Sequence, residues 1–106
     1  MSKVYIVNKG GHDHSDAERF GDLVFLSEGS INRYAVNQIY RQFNEFLRNS
    51  STGDYIVPTG LTFMSIVACS IFAHKHGRLN LLIYKNKKSE NENPYYVERI
   101  LILEGD

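Results

Sequence analysis

Apolar positions in this chain fall into short continuous runs and two longer stretches of helical spacing, with glycines or polar clusters at nearly every change between them. Val4 to Asn8 is β-branched and aromatic and stops at Lys9-Gly10-Gly11, which reads as a buried strand closed by a glycine turn. Asp22 to Leu26 reads as a second strand, stopped by Ser27-Glu28-Gly29-Ser30. Between them Ser15 stands where it would cap one helical turn of Asp16, Ala17 and Glu18, with Glu18 at the capping-box position.

Ser30 then reads as the N-cap of a first long helix whose apolar positions Ile31, Tyr34, Ala35, Ile39, Phe43, Phe46 and Leu47 recur at three and four residues. The aromatic residues of this stripe, Tyr40 among them, are expected in the core, and Asn37, Arg41, Gln42, Asn44 and Glu45 on the outer face. Asn49 to Gly53 is a loop, and Tyr55 to Val57 a third strand. Pro58-Thr59-Gly60-Leu61 turns into a second helix, Thr62 to His76, apolar on most sides, with Gly77 as its C-terminal cap and Lys75 and His76 suited to the helix dipole. Leu79 to Tyr84 is nearly continuous apolar sequence, the pattern of a strand covered on both faces. After the polar stretch Lys85 to Asn93, Pro94 precedes a last strand, Tyr96 to Leu103, expected as an edge strand turning back on the fourth. The order β-β-α-β-α-β-β predicts a single α/β domain over 1–106, a small three-layer Rossmann-like or flavodoxin-like sheet, mostly parallel with an antiparallel edge strand. The direction of the second strand stays open.

Composition narrows the function classes. With 12 Lys+Arg against 12 Asp+Glu, the chain offers no electrostatic footprint for DNA or RNA. Its longest apolar stretch, Leu61 to Ala73, is shorter than the roughly 20 residues a bilayer requires, and no signal peptide is visible at the N-terminus. No membrane role is expected, and the single cysteine, Cys69, inside an apolar helix, points to a core residue in a reducing, cytoplasmic compartment.

Chemistry is expected at the carboxyl ends of the parallel strands, where open α/β sheets bind ligands. There the order gathers Asn8 to Asp16, Thr59 to Thr62 and Tyr84 to Lys85, joined by Ser27 to Gly29 if the second strand is parallel. In Gly10-Gly11-His12-Asp13-His14-Ser15-Asp16 the glycines allow close backbone approach, Ser15 can hold a phosphate, and His12 or His14 can move a proton near neutral pH. A metal reading with His12, His14 and Asp13 or Asp16 is incomplete as a ligand shell, and a solvated turn capped by Asp13 and Ser15 is the plain alternative, so no metal and no cofactor are assigned. His74 and His76, two apart on a helix, diverge and read as dipole stabilisation. Arg33 is placed to reach an anion or to sit on the surface, and Glu28 is the candidate general acid or base if there is catalysis.

The segment Thr59-Gly60-Leu61-Thr62-Phe63-Met64-Ser65-Ile66-Val67-Ala68 resembles the ligand turn of Rossmann-like sensor domains for cyclic oligonucleotides, which carry a Thr-Gly-Gly-Thr-Lys-x-Met turn before an Ala-rich helix. Leu61 replaces the second glycine, Phe63 the lysine, and Met64 comes one place early. Val4-Tyr5-Ile6-Val7 with its glycine turn and Ser15-Asp16-Ala17-Glu18 is faintly similar to the first strand and loop of nucleoside deoxyribosyltransferase-like proteins. The compact chain with its Asn/Lys-rich stretch also resembles small phage-encoded proteins in style. The strand-end convergence predicts a small Rossmann-like binding protein for a nucleotide or related phosphorylated small molecule, with Asn8, Gly11, His12, Ser15, Thr59, Gly60 and Thr62 as its contacts, and the resemblances extend this to a phage-type protein that captures a host signalling nucleotide. Two alternatives stand beside it: an interaction protein inhibiting a host macromolecule without a small ligand, and a nucleotide-processing hydrolase using Glu28 with His12 or His14. A homodimer is expected because so apolar a second helix needs cover on more than one side.

Overall fold

A computed structural model describes residues 2–103 apart from 12, 87, 88 and 90. Its five-stranded sheet comprises β1 (Lys3–Ile6), β2 (Asp22–Phe25), β3 (Tyr55–Val57), β4 (Arg78–Lys85) and β5 (Tyr95–Ile102), in the order β2-β1-β3-β4-β5. β4 and β5 pair antiparallel, and every other pairing is parallel. The open question of the second strand is thereby answered: Lys3↔Asp22 through Ile6↔Phe25 is a parallel register. The order 2-1-3-4-5 is the flavodoxin-type arrangement, in which the chain reverses its direction of travel between β1 and β3.

Two helices, α1 (Val36–Leu47) and α2 (Thr62–His76), carry the second and third crossovers, while the first is reduced to a 3-10 segment, Ser15–Phe20. The period of two along the strands sorts their side chains between the faces. Tyr5, Val7, Leu26 and Ile56 pack with Ile39, Phe43 and Leu47 of α1 and Met64, Ala68 and Phe72 of α2. Val4, Ile6, Val57 and Leu82 turn the other way, against Ala17 of the 3-10 segment and Tyr96. The sheet therefore has three layers of unequal weight.

Three local expectations change. Ser30 does not start a helix, because the Asn32 side chain accepts the Tyr34 N–H at 2.9 Å and the Asn32 carbonyl takes the Ala35 N–H at 3.0 Å, a local turn that competes with helical bonding. With the start moved to Val36, the buried stripe is Ile39, Phe43 and Leu47; Tyr34 is 84% exposed, and Tyr40 and Phe46 are about half exposed rather than core. Ser15 is not a cap either: its own N–H donates to Asp13 Oδ1 at 2.9 Å, so the aspartate makes the side-chain bond at this turn. And β4 is not covered throughout, since Leu82 is buried but Ile83 is exposed.

The second helix matches its expected bounds. Gly77 closes it at φ 67°, in the left-handed region, with its N–H on the Ala73 carbonyl at 2.8 Å. Lys75 does more than complement its own helix dipole, because its Nζ donates to the Leu47 and Arg48 carbonyls that end α1. At the opposite end of the sheet from the strand tips, buried Asn80 donates to the Thr52 and Asp54 carbonyls, both at 2.7 Å, and accepts Arg78 Nε at 2.9 Å. No helix among the described residues is long and apolar enough to cross a membrane.

Candidate functional site

A cleft of about 290 Å³ lies where the strand order reverses, beyond the carboxyl ends of β1 and β3, lined by Asn8, Gly29, Ser30, Ile31, Gly60, Leu61 and Met64. Its floor is a hydrogen-bonded lock between the two strands. The Asn8 N–H donates to Thr59 Oγ1 at 2.9 Å, and the Thr59 hydroxyl donates back to the Asn8 carbonyl at 2.8 Å. Asn8 Nδ2 donates to the Gly29 carbonyl at 3.2 Å, and the Ser27 hydroxyl lies 2.7 Å from the Val7 carbonyl and 2.9 Å from Asn8 Oδ1. One asparagine thus joins the ends of β1, β2 and β3.

Gly60 fits this arrangement for two reasons. Its φ of +81° belongs to the left-handed region, and a Cβ there would meet the Asn8 Cβ at 2.8 Å. The turn then enters α2 through Leu61, whose φ −68° and ψ 144° are extended and which makes no side-chain cap. Met64 and Ser65 bond the Leu61 carbonyl, whereas the N–H groups of Thr62 and Phe63 have no hydrogen-bond partner among the described residues, and the first turn carries no acidic side chain. Ser65 Oγ ties the turn back to the Thr59 carbonyl at 3.3 Å.

Of the residues expected from sequence, Asn8 and Gly60 meet in the cleft wall, Thr59 locks it from beneath, and Thr62 stands exposed at the first position of α2. Gly11 and Ser15 do not line the cleft, and a Cβ at Gly10 or Gly11 would meet nothing within 4 Å, so neither glycine is there for close backbone packing. His12 lies outside the described residues. His14 is 7% exposed, its Nδ1 lies 2.7 Å from the Tyr96 hydroxyl, and its ring packs edge-on to Phe25. It is a core group of the 3-10 face, not a cleft residue. Burial, with neighbouring Tyr84 second, raises the Tyr96 phenol to about 12.

Asp13 and Asp16 are each engaged locally: Asp13 holds the Ser15 N–H, which lowers its carboxyl pKa, while Asp16 accepts the Tyr96 N–H at 2.7 Å and Arg19 Nε at 3.1 Å. Among the described residues no three His, Cys, Asp or Glu side chains are grouped as metal ligands. Glu28 is exposed past the end of β2, where it bridges in parallel to Lys9, so the hydrolase reading finds its carboxylate at the strand ends and His14 buried on the 3-10 face. Cys69 is half-buried against the helical core, and burial pushes its thiol up to about 11, away from the low values of activated cysteines.

The family model described as Phage Pam3 gp32-like protein matches residues 2–98. The chain belongs to that family. Its phage character, first suggested by style alone, now rests on a match that spans every cleft residue and both helices. No significant match to the chain is found among curated proteins or among solved structures.

Within this gp32-like fold the larger cavity lies away from the strand ends. A groove of about 600 Å³ runs between α1 and α2, walled by Tyr40, Leu47, Ile66, Val67 and Ile71, with Arg48, His74 and Lys75 at one end. The strand-end cleft is smaller, and it is the one built from strand-to-strand polar locks and a left-handed glycine at the point where the strand order reverses. Sequence reasoning missed Ser30, Ile31 and Met64 in its lining. Helical spacing puts Ser30 and Ile31 at the start of a helix that begins only at Val36, and Met64 lies past the Thr59 to Thr62 turn, whereas Gly29 falls in the Ser27 to Gly29 stop of β2.

Proposed function

We propose that this phage protein is a binding protein for a small anionic ligand, a nucleotide or related phosphorylated molecule, held in the cleft between β1 and β3. The observation that carries the reading is the placement of an uncapped helix N-terminus, with the Thr62 and Phe63 N–H groups unpaired, at the point where the strand order reverses. The lining contains no charged side chain, so backbone N–H groups and the Ser30 hydroxyl supply the polar contacts, while Ile31, Leu61 and Met64 offer an apolar wall to a base or sugar face. Capture of a host signalling nucleotide in the host cytoplasm is the role that fits a phage protein with this cleft.

The test uses Thr62→Pro. Thr62 is the first helical residue, its N–H is unpaired, and Leu61 already has the extended backbone that a following proline requires, so the substitution removes one ligand donor while leaving the fold intact. Thermal unfolding is followed against mono-, di- and cyclic nucleotides, nucleotide sugars and inorganic phosphate. A ligand at about 100 times its Kd stabilises by about 2.7 kcal/mol, a rise of roughly 10 to 20 °C in a domain of this size. The shift is expected in the wild type and reduced in Thr62→Pro; no shift for any compound at millimolar concentration would overturn the reading.

A second reading is favoured by the α1/α2 groove, whose apolar walls and basic end suit an amphipathic helix with acidic residues at one terminus. It makes the protein an inhibitor of a host macromolecule. In that case Ile66→Glu abolishes partner binding and Thr62→Pro is silent.

A further inference from the structure

The outer edge of β5 is half closed and half open. Leu103 N–H bonds the Gly77 carbonyl at 2.9 Å, so by antiparallel alternation the odd-numbered residues of β5 turn their amides toward β4, and Tyr96, Glu98, Ile100 and Ile102 turn theirs outward. At Tyr96 the outward groups are both engaged: its N–H donates to Asp16 Oδ2 at 2.7 Å and its carbonyl accepts Arg19 Nη2 at 2.8 Å. This Asp16/Arg19 clip stands in for a neighbouring strand. Further along, the Glu98 carbonyl takes the Arg99 guanidinium at 2.7 Å, and the outward N–H and C=O groups of Ile100 and Ile102 have no hydrogen-bond partner among the described residues.

The side chains along the open half are apolar on both faces. Ile100 and Ile102 lie on the face that buries Tyr96 and are 44% and 64% exposed; Leu101 and Leu103 lie on the helical face at 48% and 52%. A strand apolar on both faces belongs inside a sheet, and this one runs in unbroken register with β4, with no bulge or proline to blunt its edge.

We propose that the open half of the β5 edge pairs antiparallel with the same segment of a second copy of this chain, about a two-fold axis at Leu101. The run Ile100-Leu101-Ile102 is symmetric about its centre. In this register Ile100 faces the partner copy's Ile102 on one face, Leu101 meets its own copy on the other, and the outward amides of Ile100 and Ile102 are in phase to bond each other. A two-fold axis at Ile100 would set Glu98 against Ile102, and one at Arg99 would oppose two guanidinium groups, so the Leu101 register is the one in which Ile100, Leu101 and Ile102 all meet apolar partners. The sheet becomes continuous across the dimer, and the overlap is short, so association is reversible and depends on concentration.

The test is sedimentation equilibrium of the wild type and of Ile100→Lys/Ile102→Lys, together with mild oxidation of Cys69→Ser/Leu101→Cys. The wild type is expected to approach twice the chain mass with rising concentration, and the double lysine variant to remain monomeric and to unfold at the temperature of the wild type measured at low concentration, because both positions are exposed and contribute no internal backbone bond. Opposed residues in such a pair have Cα atoms about 4.5 Å apart, within disulfide range, so Leu101→Cys crosslinks rapidly, while Tyr34→Cys in the same background does not. A wild type that stays monomeric at about 1 mM, well above a micromolar Kd, overturns the proposal and leaves the edge to a strand from another protein. A dimer that persists in the lysine variant, or that crosslinks no faster through Leu101→Cys than through Tyr34→Cys, overturns it equally.

Discussion

Replacing Gly60 by alanine tests the cleft through its backbone. Two costs arise at this position and one offset. Holding alanine at φ +81° costs roughly 1 to 2 kcal/mol. The new methyl would sit 2.8 Å from the Asn8 Cβ, and because the Asn8 backbone is locked on both sides by Thr59 the overlap is relieved only by strain, about 1 to 3 kcal/mol. Reduced freedom of the unfolded chain returns about 0.4 to 1 kcal/mol. The net loss is about 2 to 4 kcal/mol, which lowers Tm by roughly 10 to 25 °C and leaves the protein folded, given a total stability of about 5 to 15 kcal/mol.

Urea and thermal unfolding of Gly60→Ala, with Gly10→Ala as the control, measure this directly. Gly10 has open space around its Cβ position, so its substitution is expected to stay within about 0.5 kcal/mol of wild type. In an Asn8→Gly background the steric share disappears and Gly60→Ala costs only the backbone share, about 1 to 2 kcal/mol. A loss below about 0.5 kcal/mol in the wild-type background would refute the reasoning altogether. Equal losses in both backgrounds would refute the contact with Asn8 and leave only the left-handed φ.

Three further outcomes are expected. Asn80→Ala, which strips the buried Asp54 carbonyl and the part-buried Thr52 carbonyl of their donor and leaves space between β3 and β4, should destabilise by about 2 to 4 kcal/mol in denaturant titration, and a loss under about 1 kcal/mol would show the bonds to be dispensable. The His76 imidazole has its pKa lowered from 6.5 mainly by burial and then by Lys75, against a smaller opposing pull from Asp54, so the unfolded chain takes up the proton first as pH falls. Stability from this group is present above the unfolded pKa of about 6.5 and declines as pH falls below it, so His76→Gln should flatten the decline on the acid side of about pH 6.5; an unchanged slope would assign it to other groups. Phe43→Ala should cost about 3 to 5 kcal/mol while Tyr34→Ala stays within about 0.5, and comparable losses would contradict the helix start at Val36.

The sheet was legible because buried parallel strands write themselves as unbroken apolar runs and because Gly60 and Gly77 punctuate α2, a helix apolar on most sides. The misreadings have local causes. Tyr34 and Ile31 carry helical spacing, but Asn32 spends its side chain and carbonyl on a turn, a competition that periodicity does not register. The Gly/Asp/Ser loop around His14 reads as a ligand loop or a solvated turn, whereas the return of β5 brings the Tyr96 hydroxyl to its ring and buries it on the 3-10 face. Part of the cleft lining was visible for the converse reason: Asn8 and Gly60 sit next to strand ends that sequence places well, whereas Ser30 and Ile31 depend on β2 being parallel, and nothing within β2 itself encodes that.

The open edge follows from the same economy that shortens the first crossover. A six-residue 3-10 segment spans about 12 Å at 2.0 Å per residue, whereas five strands spaced about 4.8 Å apart make a sheet about 19 Å across. It can cover Val4, Ile6, Val57 and Leu82 and reach β5 only with the Asp16 and Arg19 side chains, which close the strand at Tyr96 and no further. Ile100 and Ile102 lie beyond that reach, and on the opposite face Leu101 and Leu103 are exposed past α2. The far half of β5 thus keeps the composition of an interior strand in the position of an edge, and the second copy proposed for it would supply both the missing amide partners and the missing apolar cover in one contact.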